Sequence, residues 1–187
     1  MSDSELLARV AGGEKAAFHR FVRRHQAAVF RYLRALVRNE ADAEDVLQQT
    51  FLAAFRGAAE ARVEKTARAW LFTIGRHAAI RHGRLRAGEP SRHDSIDALG
   101  EEAGFADEAG TPEAEAARLE ERALLERALE SLSSEDREIL VLRELEGLRG
   151  EEAAEVLGLG LDATKSRLHR ARLRFQAAFR REVRDEG

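Results

Sequence analysis

Residues 150–175 read GEEAAEVLGLGLDATKSRLHRARLRF, and this stretch decides the fold class. Gly150 to Leu157 has the pattern of a short helix, and Gly158-Leu159-Gly160-Leu161 reads as a turn. A second helix runs on to about Val183. Asp162 is expected to cap it, because its carboxylate can accept from the orphan amides of the first turn. Two helices joined by a short glycine-containing turn form a helix-turn-helix, whose second helix suits the major groove of DNA. On that helix Thr164, Leu168, Ala171 and Phe175 share one face and are expected to pack inward. Base reading is expected near its start, at Lys165, Ser166, His169 and Arg170. Arg167, Arg172 and Arg174 are expected to hold phosphates. A basic amphipathic helix lying on an acidic protein surface is the competing interpretation.

Working upstream, Leu119, Leu125, Ala128, Leu129 and Leu132 recur at helical spacing. Ser133 followed by Asp136 resembles a capping box opening a helix with Ile139, Leu140, Leu142 and Leu145, which Gly147 breaks. Residues from Ala87 to about Pro112 differ in kind, being rich in glycine and acid and poor in large apolar groups. Such a segment cannot bury enough surface to offset its ordering entropy, so a flexible linker is expected. Earlier still, Phe18, Phe21, Val22, Val29, Tyr32, Leu33, Leu36 and Val37 form a long helical stripe. Arg20, Arg23, Arg24, Arg31 and Arg34 lie mostly on its other faces. Asn39 to Asp42 supplies cap-type residues for a helix bearing Val46, Leu47, Phe51 and Phe55. A third helix starts near Thr66 with Trp70, Leu71 and Ile74, then a basic tail from Arg76 to Arg86. Neither β-type alternation nor a hairpin signal occurs. The expected architecture is all-α: two small helical domains, 1–87 and 118–187, joined by an acidic flexible linker, 88–117.

The net charge of −3 conceals sorted blocks. Lys15 to Asn39 holds seven Lys/Arg and no acid, Asp94 to Ala117 eight acids and no base, and Ala163 to Arg181 seven Lys/Arg and no acid. On charge alone, polyanion contact and plain solvated helix faces both fit. The chain has no cysteine, which excludes disulfides, Cys-based zinc sites and thiol nucleophiles. Its six histidines are scattered, and no phosphate loop, nucleophile elbow or paired-histidine motif occurs. Neither an enzyme nor a cofactor is therefore expected. Met1 to Gly12 contains acids and no long apolar run, so no signal peptide, no membrane insertion and a cytoplasmic location are expected. Trp70 on an apolar stripe is more often core than a stacking platform for bases.

The run DAEDVLQQTF at 42–51 with ARAWLFTIGRHAAI at 67–80 resembles the second conserved region of extracytoplasmic-function (ECF) sigma factors of bacterial RNA polymerase. The run LESLSSEDREILVLRELEGLRGEEAAEVLGLGLDATKSRLHRARLRF at 129–175 resembles their fourth, and LLARVAGGEKAAFHRFVRRHQAAVFRYL at 6–33 fits the opening. The resemblance implies that Asp42, Asp45, Gln48 and Gln49 bind the clamp of the core polymerase's largest subunit, with the flap of the second largest as a further contact. It implies −10 promoter contacts by Arg68, Trp70, Arg76, His77, Arg81 and Arg84. It implies −35 reading by Lys165, Ser166, Arg167, His169, Arg170, Arg172 and Arg174. The acidic linker would thread the polymerase's basic nucleic-acid channel, and an anti-sigma factor would hold the protein inactive. Four residues depart from the family pattern. Ser133 stands where a proline is usual and Thr164 where a buried valine is expected; His77 and Arg81 stand where Asn and Asp are common. An autonomous helix-turn-helix repressor would explain residues 118–187 but leave DAEDVLQQTF and the linker unused. A partner-switch protein that captures an anti-sigma factor would carry an α/β receiver pattern, which the chain lacks.

Overall fold

The computed structural model describes residues 1–37, 39–59, 61, 66–85 and 112–185. Those residues are all-α, in two helical halves, and contain no strand. The N-terminal half comprises α1 (Asp3–Ala11), α2 (Lys15–Val37), α3 (Glu40–Gly57) and α4 (Ala67–Leu85). The C-terminal half comprises α5 (Pro112–Glu130), α6 (Ser134–Leu140), α7 (Gly150–Leu157) and α8 (Leu161–Asp185). Of the acidic segment expected as a linker, residues up to 111 lie outside the described ones, and 112–117 open α5.

The long stripe on α2 buries Phe21, His25, Val29, Tyr32 and Leu33, repeating at three and four residues as a helix face must. α3 and α4 close over it with Val46, Thr50, Phe51, Leu71 and Phe72. Asn39 caps α3, its side-chain oxygen accepting from the Asp42 amide at 3.0 Å. Arg20, Arg23 and Arg24 face solvent as expected, but Arg31 is half-buried and Arg34 fully enclosed. Periodicity within one helix cannot foresee this, because a second body packs on that end of α2.

α1 was not expected from the residues. Its signal is the pair Ser2 and Glu5: the Ser2 hydroxyl accepts from the Glu5 amide, while the Glu5 carboxylate accepts from the Ser2 amide at 2.8 Å. That capping box is the reciprocal arrangement that opens a helix. Leu6, Leu7 and Val10 then bury one face against α2.

In the C-terminal half, Ser133 caps α6 by accepting from the Asp136 amide at 3.2 Å, so serine replaces the usual proline with a working cap. The reciprocal half of a capping box is not made, because the Asp136 carboxylate turns to Arg174. α6 continues as one π-helical turn, Val141–Leu145, closed by the Glu146 amide donating to the Val141 carbonyl. Leu145, one of the apolar residues that mark this helix, is 52% exposed there, and Glu146 is buried. Gly147 and Gly158 adopt φ of 64° and 66°, a left-handed conformation that costs glycine nothing. Asp162 does not cap α8. The helix begins at Leu161, two residues before the start that such a cap implies, and the Asp162 side chain stands in solvent.

The halves touch. α2 meets α6, α4 meets α7, and their buried apolar residues form one contiguous cluster.

Candidate functional site

α8 is seated by Thr164, Leu168 and Ala171, all buried, and by half-buried Phe175. The expected inward face is thus the observed one. Thr164 fits where valine is expected because its hydroxyl donates to the Gly160 carbonyl at 3.0 Å, which satisfies the buried oxygen. The α7–α8 turn is tight: a Cβ on Gly150 would stand 3.2 Å from the Leu161 side chain. Seated this way, α8 exposes Lys165, Ser166, His169 and Arg170 together near its start.

The three arginines expected to hold phosphates lie elsewhere on the helix, and each faces a carboxylate of its own half. Arg172 donates to Glu144 at 2.6 and 3.0 Å. Arg174 donates to Asp136 at 2.6 Å, and Arg167 lies 3.6 Å from Glu135. Both guanidiniums are well exposed, and with Glu144 exposed as well the Arg172 pair is weak and exchangeable, whereas the Asp136 carboxylate that meets Arg174 is buried.

α4 carries the six residues expected at the −10 element, and the structure divides them. His77, Arg81 and Arg84 are exposed along its C-terminal half. Trp70 is half-buried and packs against the core beside Gly57, the more ordinary of its two expected roles. Arg68 and Arg76 are engaged by the C-terminal half. Arg76 Nε donates to Glu138 Oε1 at 2.8 Å, and the same oxygen accepts from the Tyr32 hydroxyl at 2.7 Å. Glu146 is wholly enclosed and accepts from Arg31 Nε at 3.0 Å and from Arg68 Nη2 at 2.8 Å. Arg68 also lies over the Phe72 ring, 5.6 Å from its centroid. Burial, with the Glu138 charge and hydrogen bond, holds the Tyr32 hydroxyl well above its ordinary value, so it stays a proton donor. At the edge of this interface the Thr66 hydroxyl donates to Glu152 at 2.7 Å. Partial burial pushes the Glu152 carboxyl up, but the Arg149 amide and Thr66 hydroxyl outweigh it and hold the group below its ordinary range.

On α3, Asp45, Gln48 and Gln49 are exposed on one polar face. Asp42 is set apart: its carboxylate lies 3.3 Å from His82 Nε2 and ties α3 to α4. Sequence reasoning missed what flanks this face. An open groove of about 670 Å³ runs between α2 and α3, lined by Phe18, Val22, Leu47, Phe51, Leu52 and Phe55, with Gln48 at its edge. Leu52 is 50% exposed and Phe55 40%, although Phe55 belongs to the apolar pattern of its helix. The available signal was an excess of large apolar residues on α3 over what one buried face can hold. Among the described residues no helix is long and apolar enough to cross a membrane, and no cluster of metal-ligating side chains occurs.

Known proteins share this arrangement. Residues 21–88 match the family described as Sigma-70 region 2, and residues 122–175 match Sigma-70, region 4. The RNA polymerase sigma factor CnrH of Cupriavidus metallidurans is 33% identical over 178 residues, covering 94% of this chain and 93% of CnrH. The ECF RNA polymerase sigma factor SigM of Mycobacterium tuberculosis is 32% identical, covering 92% and 82%. The solved structure of CnrH in complex with the cytosolic domain of CnrY superposes with a TM-score of 0.67, at 32% identity and coverage of 94% and 95%. RpoE of Bartonella quintana, solved with the anti-sigma factor NepR, has the same fold at 24% identity, with a TM-score of 0.67 and coverage of 87% and 96%. With both conserved regions in order on one chain and relatives matched along nearly their full length, this protein belongs to the ECF group of bacterial RNA polymerase sigma factors, transcription regulators rather than enzymes.

Proposed function

We propose that this chain binds core RNA polymerase and directs it to a specific set of promoters, acting in the cytoplasm. The observation that carries this reading is the seating of α8: its inward residues lock the helix so that Lys165, Ser166, His169 and Arg170 project together. Long polar side chains grouped near the start of a recognition helix are what major-groove reading at a −35 element needs. Arg167, Arg172 and Arg174 hold the flanking phosphates once DNA displaces their carboxylate partners. The C-terminal half also meets the flap of the polymerase's second-largest subunit. On α4, His77, Arg81 and Arg84 meet the −10 element together with Arg68 and Arg76, while Trp70 positions the helix. His77 and Arg81, where Asn and Asp are common in the family, make this contact more basic. Asp45, Gln48 and Gln49 dock on the clamp of the largest subunit, with Asp42 positioning α3 through His82. The acidic segment passes along the polymerase's basic nucleic-acid channel.

An anti-sigma factor holds the protein inactive. CnrH, 32% identical, forms a complex with the cytosolic domain of CnrY, and this relationship supports a partner protein of that kind here.

Reconstituted transcription tests the assignment, using the purified chain, bacterial core polymerase and DNA from upstream of the chain's own gene. Specific initiation that depends on the chain is expected. Replacing Asp45 and Gln48 with Ala should weaken the complex with core while helicity is retained. Tight binding of operator DNA by the chain alone, with no complex with core, would return the protein to the repressor class.

A further inference from the structure

We infer that the far end of α8 is a second contact with DNA, at which Arg181 and Arg184 hold backbone phosphates outside the base pairs read by the start of the helix. The inference rests on the assignment of Lys165, Ser166, His169 and Arg170 to the −35 element.

The residues assigned to that element end at Arg174, but α8 is one helix of 25 residues that runs on to Asp185. Ser166, Arg170, Arg181 and Arg184 are separated by four, eleven and three residues. Those spacings are about one, three and one turns of an α-helix, so the four share a single stripe. Ala177 lies on the stripe between them, and all five positions are exposed. The face that seats the helix, with Thr164, Leu168, Ala171 and Ala178 buried, is turned away from it.

The stripe is also kept free of negative charge. Glu182 is the one acid between Ala163 and Arg184, and its carboxylate accepts from Arg127 Nε of α5 at 3.1 Å, on the seated side. Neither Arg181 nor Arg184 pairs with a carboxylate among the described residues, unlike Arg167, Arg172 and Arg174. A face that meets only water has no need to hold its arginines in register with the base-reading side chains.

Distance decides what these two arginines can touch. From Arg170, Arg181 lies about 16 Å along the helix axis and Arg184 about 21 Å. The major groove is about 12 Å wide, so both stand past its edge while Arg170 is inside it. Side chains placed there meet sugar–phosphate backbone rather than base edges, and they add affinity without adding sequence preference. The guanidinium fork suits a phosphate, which it can engage through two parallel hydrogen bonds.

The test uses holoenzyme reconstituted from the full chain and bacterial core polymerase, on a promoter duplex from upstream of the chain's own gene. Binding is measured across a salt series. Arg181→Ala with Arg184→Ala should weaken binding and lower the slope of log affinity against log salt by about two, because two phosphates go unneutralised. The ranking of promoter variants should stay as in wild type. Both positions are exposed and alanine favours a helix, so this variant should fold. Arg20→Ala with Arg23→Ala, exposed on α2, removes the same charge and should leave the slope near wild type. Neutral methylphosphonates, placed singly outside the −35 element on each strand, then locate the contact. At one or two positions they should weaken wild type but not the Arg181→Ala, Arg184→Ala variant. An unchanged slope, or an equal fall in the Arg20→Ala, Arg23→Ala control, would overturn the inference. So would methylphosphonate losses that are the same in wild type and variant, which would assign the two arginines to a protein surface.

The −35 assignment fails separately, if Arg170→Ala leaves promoter preference intact. Relaxed preference in Arg170→Ala with an unmoved slope in the Arg181→Ala, Arg184→Ala variant removes the second contact alone.

Discussion

α4 and α8 are both basic helices of one chain, both assigned to DNA, yet they present their charges differently. α8 keeps Lys165, Ser166, His169 and Arg170 in solvent; of its paired arginines, Arg172 meets Glu144 at an exposed position, and Arg174, itself exposed, meets the buried Asp136, both carboxylates belonging to its own half. α4 has Arg68 and Arg76 held by carboxylates of the other half, one of them fully enclosed. The same residue type thus carries different free energies: an exposed pair is worth about 0–1 kcal/mol, whereas a buried carboxylate stripped of its partners costs several. What distinguishes the helices is their surroundings, since only α4 lies under a second body.

Substitutions beneath each helix break the comparison most strongly. Leu71 under α4 is fully buried, and Leu71→Ala should destabilise the chain by about 2–5 kcal/mol in chemical denaturation. Leu168 under α8 keeps slight exposure, so Leu168→Ala should fall at the lower end of that range, near 2 kcal/mol. If Leu168→Ala costs more than Leu71→Ala, α8 is the more tightly held of the two.

Next in size is the division within α8. Arg170→Ala should cost about 1–3 kcal/mol at the promoter and relax preference at one base position, measured by competition between promoter variants in holoenzyme. Arg172→Ala should weaken all DNA alike and lower the salt slope by about one. Equal losses on unrelated DNA for both would make Arg170 another phosphate contact.

A pH effect belongs to the N-terminal half. His25 is buried against Phe21, and its Nε2 lies 3.0 Å from Asp3 Oδ2, without the alignment of a hydrogen bond. Burial pushes its pKa down more than Asp3 raises it, leaving the folded value below the ordinary 6.5. The unfolded chain then takes up the proton first as pH falls. The His25 contribution to stability is whole above about pH 6.5 and declines below it, by at most about 1.4 kcal/mol per unit. Denaturation midpoints across this range should show the decline, and His25→Gln should flatten it. An unchanged slope in that variant would assign the acid sensitivity to other groups.

Smallest is Thr164→Val, which restores the residue expected in the family. It removes a buried hydroxyl together with its bond to Gly160, two opposing changes that should net less than about 1 kcal/mol. Promoter preference should not move, because the side chain points away from the exposed face; a shift in preference would place Thr164 in the reading of DNA.

Much of this protein was legible from order along the chain. The stripe on α2, the Asn39 and Ser133 caps, the glycine turn at 158 and the inward face of α8 are local patterns set by helical period and backbone capping. The Ser2–Glu5 capping box opens a helix that the apolar pattern alone does not mark, and Asp162 has the chemistry of a cap but lies inside a helix that begins at Leu161. Leu145 and Phe55 belong to the apolar patterns of their helices, yet both are exposed.

The amino-acid sequence by itself determined the helices, their inward faces and the two basic surfaces, because helical period, caps and charge sorting act over a few residues. Only the tertiary structure decided that Arg31, Tyr32, Arg68 and Arg76 share two buried carboxylates 62 to 115 residues away in the chain. Ion pairing across such separations depends on which bodies meet and how much water they exclude, and no local pattern encodes either.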